Sequence, residues 1–236
     1  SEVLDYIVSK FGRFVTNKTM RNIIGQPASA FNIRQAMDEQ KIILCNLSKG
    51  ILGEEDAKFL GLILVPKVLT AAMSRQDIAM DKRKDFFLYV DEFQNYATED
   101  FAVILSEARK YRLNLIVANQ FVSQIDEEVK NAVFGNVGSM VAFRVGVPDA
   151  NFLQHEFSPT FNEGDLTNIE KYHVYIKTIV GNEPVAPFSM SLKKDMDLVK
   201  ARMNPKQAEM IKELSRLRYG KDRDIVEVEI QSRSNL

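Results

Sequence analysis

The sequence predicts an α/β fold built on a mainly parallel sheet flanked by helices. Three observations carry that expectation. A short apolar run, Phe86-Phe87-Leu88-Tyr89-Val90, leads straight into Asp91-Glu92. A second run, Leu113-Asn114-Leu115-Ile116-Val117, leads into Ala118-Asn119-Gln120. Between them, residues 98–112 place Phe101, Ile104, Leu105, Ala108 and Tyr111 at the spacing of one helix face. Strand, helix, strand at this separation is a βαβ unit, whose crossover is expected to be right-handed. The first run follows the charged Asp81-Lys82-Arg83-Lys84-Asp85, so it reads as a strand covered on both faces.

The other elements follow in order. Residues 1–24 form a helical lead-in. Residues 41–47 read as a strand, and 54–75 as a helix bent at Pro66. Residues 127–134 are a short helix, 139–145 an apolar strand, and 149–157 and 163–169 two short helices. Residues 172–180 and 185–192 surround Gly181-Asn182-Glu183-Pro184 and form a C-terminal β-hairpin, because Gly and Asn suit its turn. Residues 196–219 are helical, with Pro205 near a first turn. The polar end, 231–236, reads as a disordered tail. The organisation is therefore a lead-in over 1–24, a main domain over 25–192, and a C-terminal helix and tail over 193–236.

Composition narrows the function classes. The chain has 236 residues, 45% of them hydrophobic, enough for a sizeable core. Its net charge of −1 makes no overall case for nucleic acid, although a ring needs only to line its channel with Lys and Arg. Basic residues outnumber acidic ones over 193–223, at a spacing that reads first as a solvated helix face. Cys45 is the only cysteine, so no disulfide closes within the chain, and it is expected as a buried thiol. His155 and His173 lie far apart without an HExxH pattern, and no zinc site is expected. No signal peptide opens the sequence. The apolar stretch 59–73, with Pro66 and Lys67 inside it, is too short to span a bilayer. The expected location is cytoplasmic.

Carboxylates at the C-terminal end of a parallel strand sit where open α/β sheets bind ligands. Asp91 and Glu92 have the arrangement called Walker B in P-loop NTPases. There the first acid holds Mg²⁺, mostly through water, and the second polarises the attacking water. The plainer reading is a strand ending in a solvated turn. Gln120 emerges on the same sheet edge, where an amide can hydrogen-bond a γ-phosphate or the attacking water. The plainer reading is a polar strand cap, but two polar strand ends in one βαβ unit favour the functional one. Arg109 and Arg112 lie near the end of the connecting helix. Either matches phosphate and could reach a neighbouring subunit's nucleotide, or simply favour the helix C-terminus while solvated.

Residues 87–92 are followed by Leu105-Ser106-Glu107-Ala108-Arg109-Lys110-Tyr111-Arg112-Leu113-Asn114-Leu115-Ile116-Val117-Ala118-Asn119-Gln120 and Val133-Phe134-Gly135-Asn136-Val137-Gly138. This ordered series resembles the conjugative coupling ATPases. These are the TraD/TraG-type DNA pumps of type IV secretion, relatives of the FtsK and HerA motors. Upstream, residues 37–50 fit the same pattern, as do Ala142-Phe143-Arg144-Val145-Gly146 and Pro187-Phe188-Ser189. The likeness spans about residues 20 to 192. It implies a RecA-like P-loop NTPase motor core that uses ATP and Mg²⁺ in a hexameric ring with DNA as cargo. Conjugation or secretion machinery is the implied partner. By matching position, Asp91 and Glu92 become the Walker B pair, Gln120 the γ-phosphate sensor and Arg109 a finger acting on the neighbour's site. Arg144 is the competing candidate.

One departure matters. The phosphate loop G-x-x-x-x-G-K-[ST] is missing. Its nearest imitation is Gly12-Arg13-Phe14-Val15-Thr16-Asn17-Lys18-Thr19, where Asn17 replaces the second glycine. The residues before it look helical, whereas the loop needs a strand before it and glycines that let backbone N–H groups wrap a phosphate. In the family the loop lies well upstream. The chain therefore looks like the C-terminal part of a larger motor or the product of a split gene, a partial domain lacking Walker A, and inactive alone. Any membrane anchor would belong to parts outside it. The alternatives are a non-catalytic partner-binding remnant, a structural ring subunit, or a Mg²⁺-dependent hydrolase using Asp91 and Glu92. The last would usually gather several spaced acids around its metal.

Overall fold

In the computed structural model, residues 12, 17–98, 101, 105 and 107–234 are described. The elements run α1 (Lys18–Ile24), α2 (Ile33–Asp38), α3 (Lys49–Leu52), α4 (Glu54–Met73), β1 (Phe86–Val90), β2 (Leu113–Val117), α5 (Glu127–Asn136), β3 (Met140–Ala142), α6 (Val147–Phe157), α7 (Glu163–Thr167), β4 (His173–Val180), β5 (Glu183–Ser191), α8 (Lys193–Arg202), α9 (Pro205–Tyr219) and α10 (Arg223–Ser234). They fall into two units. One comprises Ser1–Ile33, Ser48–Asp56 and Asn204–Leu236, the other Arg34–Leu47 and Ala57–Met203.

In the larger unit, β1 and β2 pair in parallel, Phe86 opposite Leu113 and Val90 opposite Val117. The βαβ reading is met at its two strands. Residues 99, 100, 102–104 and 106 of the expected helix lie outside the described residues. Residues 101, 105 and 107 are helical, and the segment tightens to a 3-10 turn at Ala108–Tyr111. It stops at Arg112, which is left-handed at φ 56°. The strand is not covered on both faces. Phe87 and Tyr89 are 55% and 72% exposed while Val90 is buried, so burial alternates as on a one-sided sheet.

The other sheet is antiparallel, in the order β3-β4-β5. The sheet structure is therefore mixed rather than mainly parallel. The hairpin has a plain cause. Gly181 and Asn182 both take positive φ, 59° and 68°, as a two-residue hairpin turn demands, and so short a turn can only join antiparallel strands. Ala142, Ala150, Leu153, Phe157, Leu166 and Ile169 form the core beneath it. Phe161 stacks on Tyr175 with ring centroids 3.7 Å apart.

Residues 41–47 form no strand pairing among the described residues. Ile42, Leu44 and Cys45 are exposed, which corrects the expected strand and the expected buried thiol. High β propensity makes a strand only where another strand accepts its ladder. Helix α4 passes through Pro66 unbroken and buries the stripe Ala57, Leu60, Gly61, Val65 and Ala72. Gly61 is required there, because a Cβ would fall 2.0 Å from the Tyr96 ring. Residues Glu54–Asp77 together make one helical run of 24 residues, with a window mean hydropathy of 1.5. By length and composition alone that run could cross a membrane, a test that the core helix of a protein outside any bilayer also passes.

In the smaller unit, α10 packs on α1 through Val226, which is buried. Asn22 Nδ2 donates to Glu227 at 3.2 Å, and Arg233 donates to the Gly25 carbonyl. Ile230 comes so close to Gly25 that a Cβ there would meet it at 2.8 Å. Residues 231–234 thus belong to a helix, not to a disordered tail. The expected helix 196–219 is two helices. Asn204 caps α9 by accepting from the Gln207 amide at 3.1 Å, and Pro205 takes its first turn.

Candidate functional site

Two backbone bonds carry the β1–β2 pairing past the strand ends. Ala118 N donates to the Val90 carbonyl and Phe93 N to the Ala118 carbonyl, both at 2.9 Å. Phe93 is fully buried, its ring 4.6 Å from that of Phe101. That anchor forces a sharp turn between Val90 and Phe93. Glu92 makes it in the left-handed region, φ 51° and ψ 45°. For a non-glycine residue this conformation costs about 1–2 kcal/mol. Asp91 Oδ1 steadies it by accepting from the Glu92 amide at 2.9 Å, and Asn95 Nδ2 donates to the Glu92 carbonyl at 3.1 Å.

The Glu92 carboxylate is held at both oxygens. Gln120 Nε2 donates to Oε1 at 2.5 Å, and Gln94 Nε2 donates to Oε2 at 2.7 Å. Residues 28 apart in sequence thus meet at the C-terminal edge of the parallel pair. Asp91 lies beside them, exposed. Gln94 was not singled out by the sequence. Its place two residues after a strand-end acid was the available signal.

Arg109 is not at this edge. It is exposed on the Ala108–Tyr111 turn, which feeds the first residue of β2. The parallel register puts that turn at the opposite end of the pair from Asp91, Glu92 and Gln120. Arg112 sits 3.6 Å from Asp85 at the same end, and Glu107 pairs with Lys110 at 3.0 Å. Arg144 is exposed just beyond β3.

Two further arginines were missed by the sequence reading. Arg75 is 0% exposed. Its Nη1 donates to the Tyr111 carbonyl at 3.1 Å and its Nη2 to the Lys84 carbonyl at 2.5 Å, while Nε lies 3.1 Å from Asp38 Oδ1. Burial lowers its pKa, with Asp38 pulling the other way. Arg83 spreads Nε between the carbonyls of Arg75 and Ile78, at 3.0 and 2.9 Å. Its Nη1 reaches the Lys110 carbonyl at 2.5 Å. Only the position of Arg75, just past an apolar helix, hinted at this.

The chemistry fits Mg²⁺ and ATP in part. No group of three or more His, Cys, Asp or Glu that could hold a metal directly occurs among the described residues. Asp91 alone suits a hydrated Mg²⁺, which keeps several waters and uses one or two carboxylates. A phosphate cradle is absent among the described residues. At the 12–19 imitation, Asn17's own side chain accepts the Thr19 and Met20 amides at 3.0 and 3.2 Å. Those are the donors a phosphate would need.

No family model and no curated protein matches the chain. Among solved structures it is similar to the plasmid coupling protein TrwB in complex with the non-hydrolysable GTP analogue GDPNP. The TM-score is 0.53 and the identity 17%, over 77% of this chain and 48% of that one. It is also similar to the bacterial conjugative coupling protein TrwB in its unbound monoclinic form. There the TM-score is 0.45 and the identity 17%, over 59% of this chain and 39% of that one. The chain thus spans less than half the length of either. The likeness to the GDPNP complex is one of fold, a mixed α/β arrangement with parallel and antiparallel strands.

Proposed function

We propose that this chain is the C-terminal portion of an ATP-driven DNA-translocating motor of the conjugative coupling type, with a RecA-like core. The observation that carries this reading is the meeting of Glu92 and Gln120 beside Asp91 at the C-terminal edge of a parallel pair. Open α/β sheets bind ligands at such edges. The fold likeness to a coupling protein solved with a nucleotide analogue supports it.

Roles follow from position. Asp91 would hold Mg²⁺ through water and Glu92 would orient and polarise the attacking water. Gln120 would move between Glu92 and the γ-phosphate. Arg109, at the far end of the pair, would serve a neighbouring subunit in a hexameric ring rather than its own site. The phosphate cradle would come from an upstream part of the full-length protein, as would any membrane anchor. DNA and the conjugation or secretion machinery are the proposed partners.

The test is ATP turnover by the full-length protein with and without DNA. Stimulation by DNA, with DNA binding that weakens steeply as salt rises, is expected. Turnover that ignores DNA, or hydrolysis of a phosphodiester with Mg²⁺ and no nucleotide, would replace the motor reading with the hydrolase one.

A further inference from the structure

Three consecutive carbonyls follow Arg109, and each is held from outside its own turn. Lys110 O accepts from Arg83 Nη1, Tyr111 O from Arg75 Nη1, and Arg112 O from the Phe86 amide at 2.9 Å. Arg109 O accepts from the Arg112 amide at 3.2 Å. The Arg83 guanidinium also lies over the Tyr111 ring, 5.5 Å from its centroid. The two arginines are tied together, because Arg83 Nε donates to the Arg75 carbonyl. Arg75 is tied to Asp38, which in turn accepts Arg34 Nε at 2.6 Å. Arg34 then reaches Ser74 O at 2.5 Å and Asp77 at 2.8 Å, closing the network on the turn after α4.

Burying a guanidinium is costly unless its donors and charge are matched. Surface packing of one short turn does not require it. A planar fork of donors, however, sets the directions of several carbonyls at once, which a lysine cannot do. Charge-assisted bonds of this kind are about twice as strong as neutral ones.

We propose that Arg75 and Arg83 are positioning residues. They clamp the Ala108–Tyr111 turn so that Arg109 is presented at a fixed place and direction. This role rests on the reading of Arg109 as a residue that serves a neighbouring subunit's site. The clamp itself does not depend on that reading.

The test uses Arg83→Ala, since Arg83 is only half-buried, with Arg75→Lys as a second variant. In this chain, amide exchange over residues 109–112 should rise about tenfold or more in Arg83→Ala, while the β4–β5 hairpin keeps its protection. In the full-length protein, kcat should fall about tenfold to a hundredfold with KM unchanged, the scale of a displaced catalytic group. Arg83→Ala added to Arg109→Ala should cost nothing more, because both remove the same contribution. Arg83→Lys, which keeps the charge and one donor nitrogen, should recover part of the loss. Unchanged exchange over 109–112 overturns the clamp. Unchanged kcat in Arg83→Ala, or losses that add to those of Arg109→Ala, overturns its catalytic role while the Arg109 reading stands. Full turnover in Arg109→Ala overturns both, and that result is distinct from the failure of the clamp alone.

Discussion

Gln120 donates to Glu92 at 2.5 Å, bridging the ends of two parallel strands. With Gln94 on the other oxygen, Glu92 faces an amide donor at each side. Each carboxylate oxygen keeps a second lone pair, so a water can be added beside these amides. In the proposed motor, Gln120, the donor on a separate strand, would be the amide that turns toward the γ-phosphate. In the full-length protein, Gln120→Ala should therefore lower kcat by about 10²-fold or more while leaving nucleotide affinity nearly unchanged, the scale of losing one general acid–base or water-positioning contact. Equal kcat in the two proteins, measured under saturating ATP, would remove Gln120 from the chemistry.

Phe93 fixes the turn that carries Glu92. It is fully buried and packs against Phe101. Phe93→Ala should destabilise the chain by about 3–5 kcal/mol, through lost burial and the cavity left behind. Denaturant unfolding followed by circular dichroism measures this. A loss under about 1 kcal/mol would mean that the site's turn is held by its hydrogen bonds instead.

Sequence reading reached the parts of this fold that local chemistry dictates. β1 and β2 are compact apolar runs with polar ends, and the hairpin turn needs two residues that accept positive φ, which Gly181 and Asn182 supply. The Glu92–Gln120 meeting was legible because parallel strands bring their C-terminal ends to one edge. Other features depend on partners distant in sequence. Residues 41–47 have strand composition but no ladder among the described residues. Helix α10 has a mostly polar sequence, and only Val226 and Ile230, four apart, mark the face that meets α1. Arg75 looks like any helix-end arginine until the carbonyls of Lys84 and Tyr111 converge on it.

The contact between α1 and α10 should weaken in acid. The hydrogen bond from Asn22, and after it that from Arg223, holds the Glu227 carboxyl below the usual glutamate range. The folded form thus takes up its proton less readily than the unfolded chain. Its stabilising contribution is full above pH 4.5, the ordinary glutamate value, and is lost as pH falls through the lower folded value. Amide exchange in α10 should therefore speed up relative to the β4–β5 hairpin as pH falls below 4.5, after correction for intrinsic rates. Asn22→Ala should flatten that dependence. The same slope in both proteins would assign the acid sensitivity to another group.

Arg109 lies at the opposite end of the strand pair from Asp91. If it completes a neighbour's site, Arg109→Ala should cut turnover of the full-length ring by ~10³–10⁵ with ATP binding retained. Mixed rings of mutant and normal subunits should show activity that is not the simple average of the two. Arg144→Ala, tested beside it, should matter far less. Full activity in Arg109→Ala with Arg144→Ala inactive would move the role to Arg144.

The most direct measurement is single-turnover ATP hydrolysis by the full-length protein carrying Glu92→Gln. The substitution keeps the shape of the side chain and removes its charge. One oxygen becomes an NH2 donor, so Gln94 or Gln120 must turn its amide to present an oxygen. The turn's hydrogen bond from the Glu92 amide to Asp91 does not involve that side chain. The motor reading predicts that ATP still binds, and still binds with Mg²⁺, while hydrolysis falls by about 10²–10⁴-fold, the contribution of a positioned general base. Hydrolysis at the normal rate in Glu92→Gln, with binding intact, would contradict it and return Asp91 and Glu92 to the status of a solvated strand end.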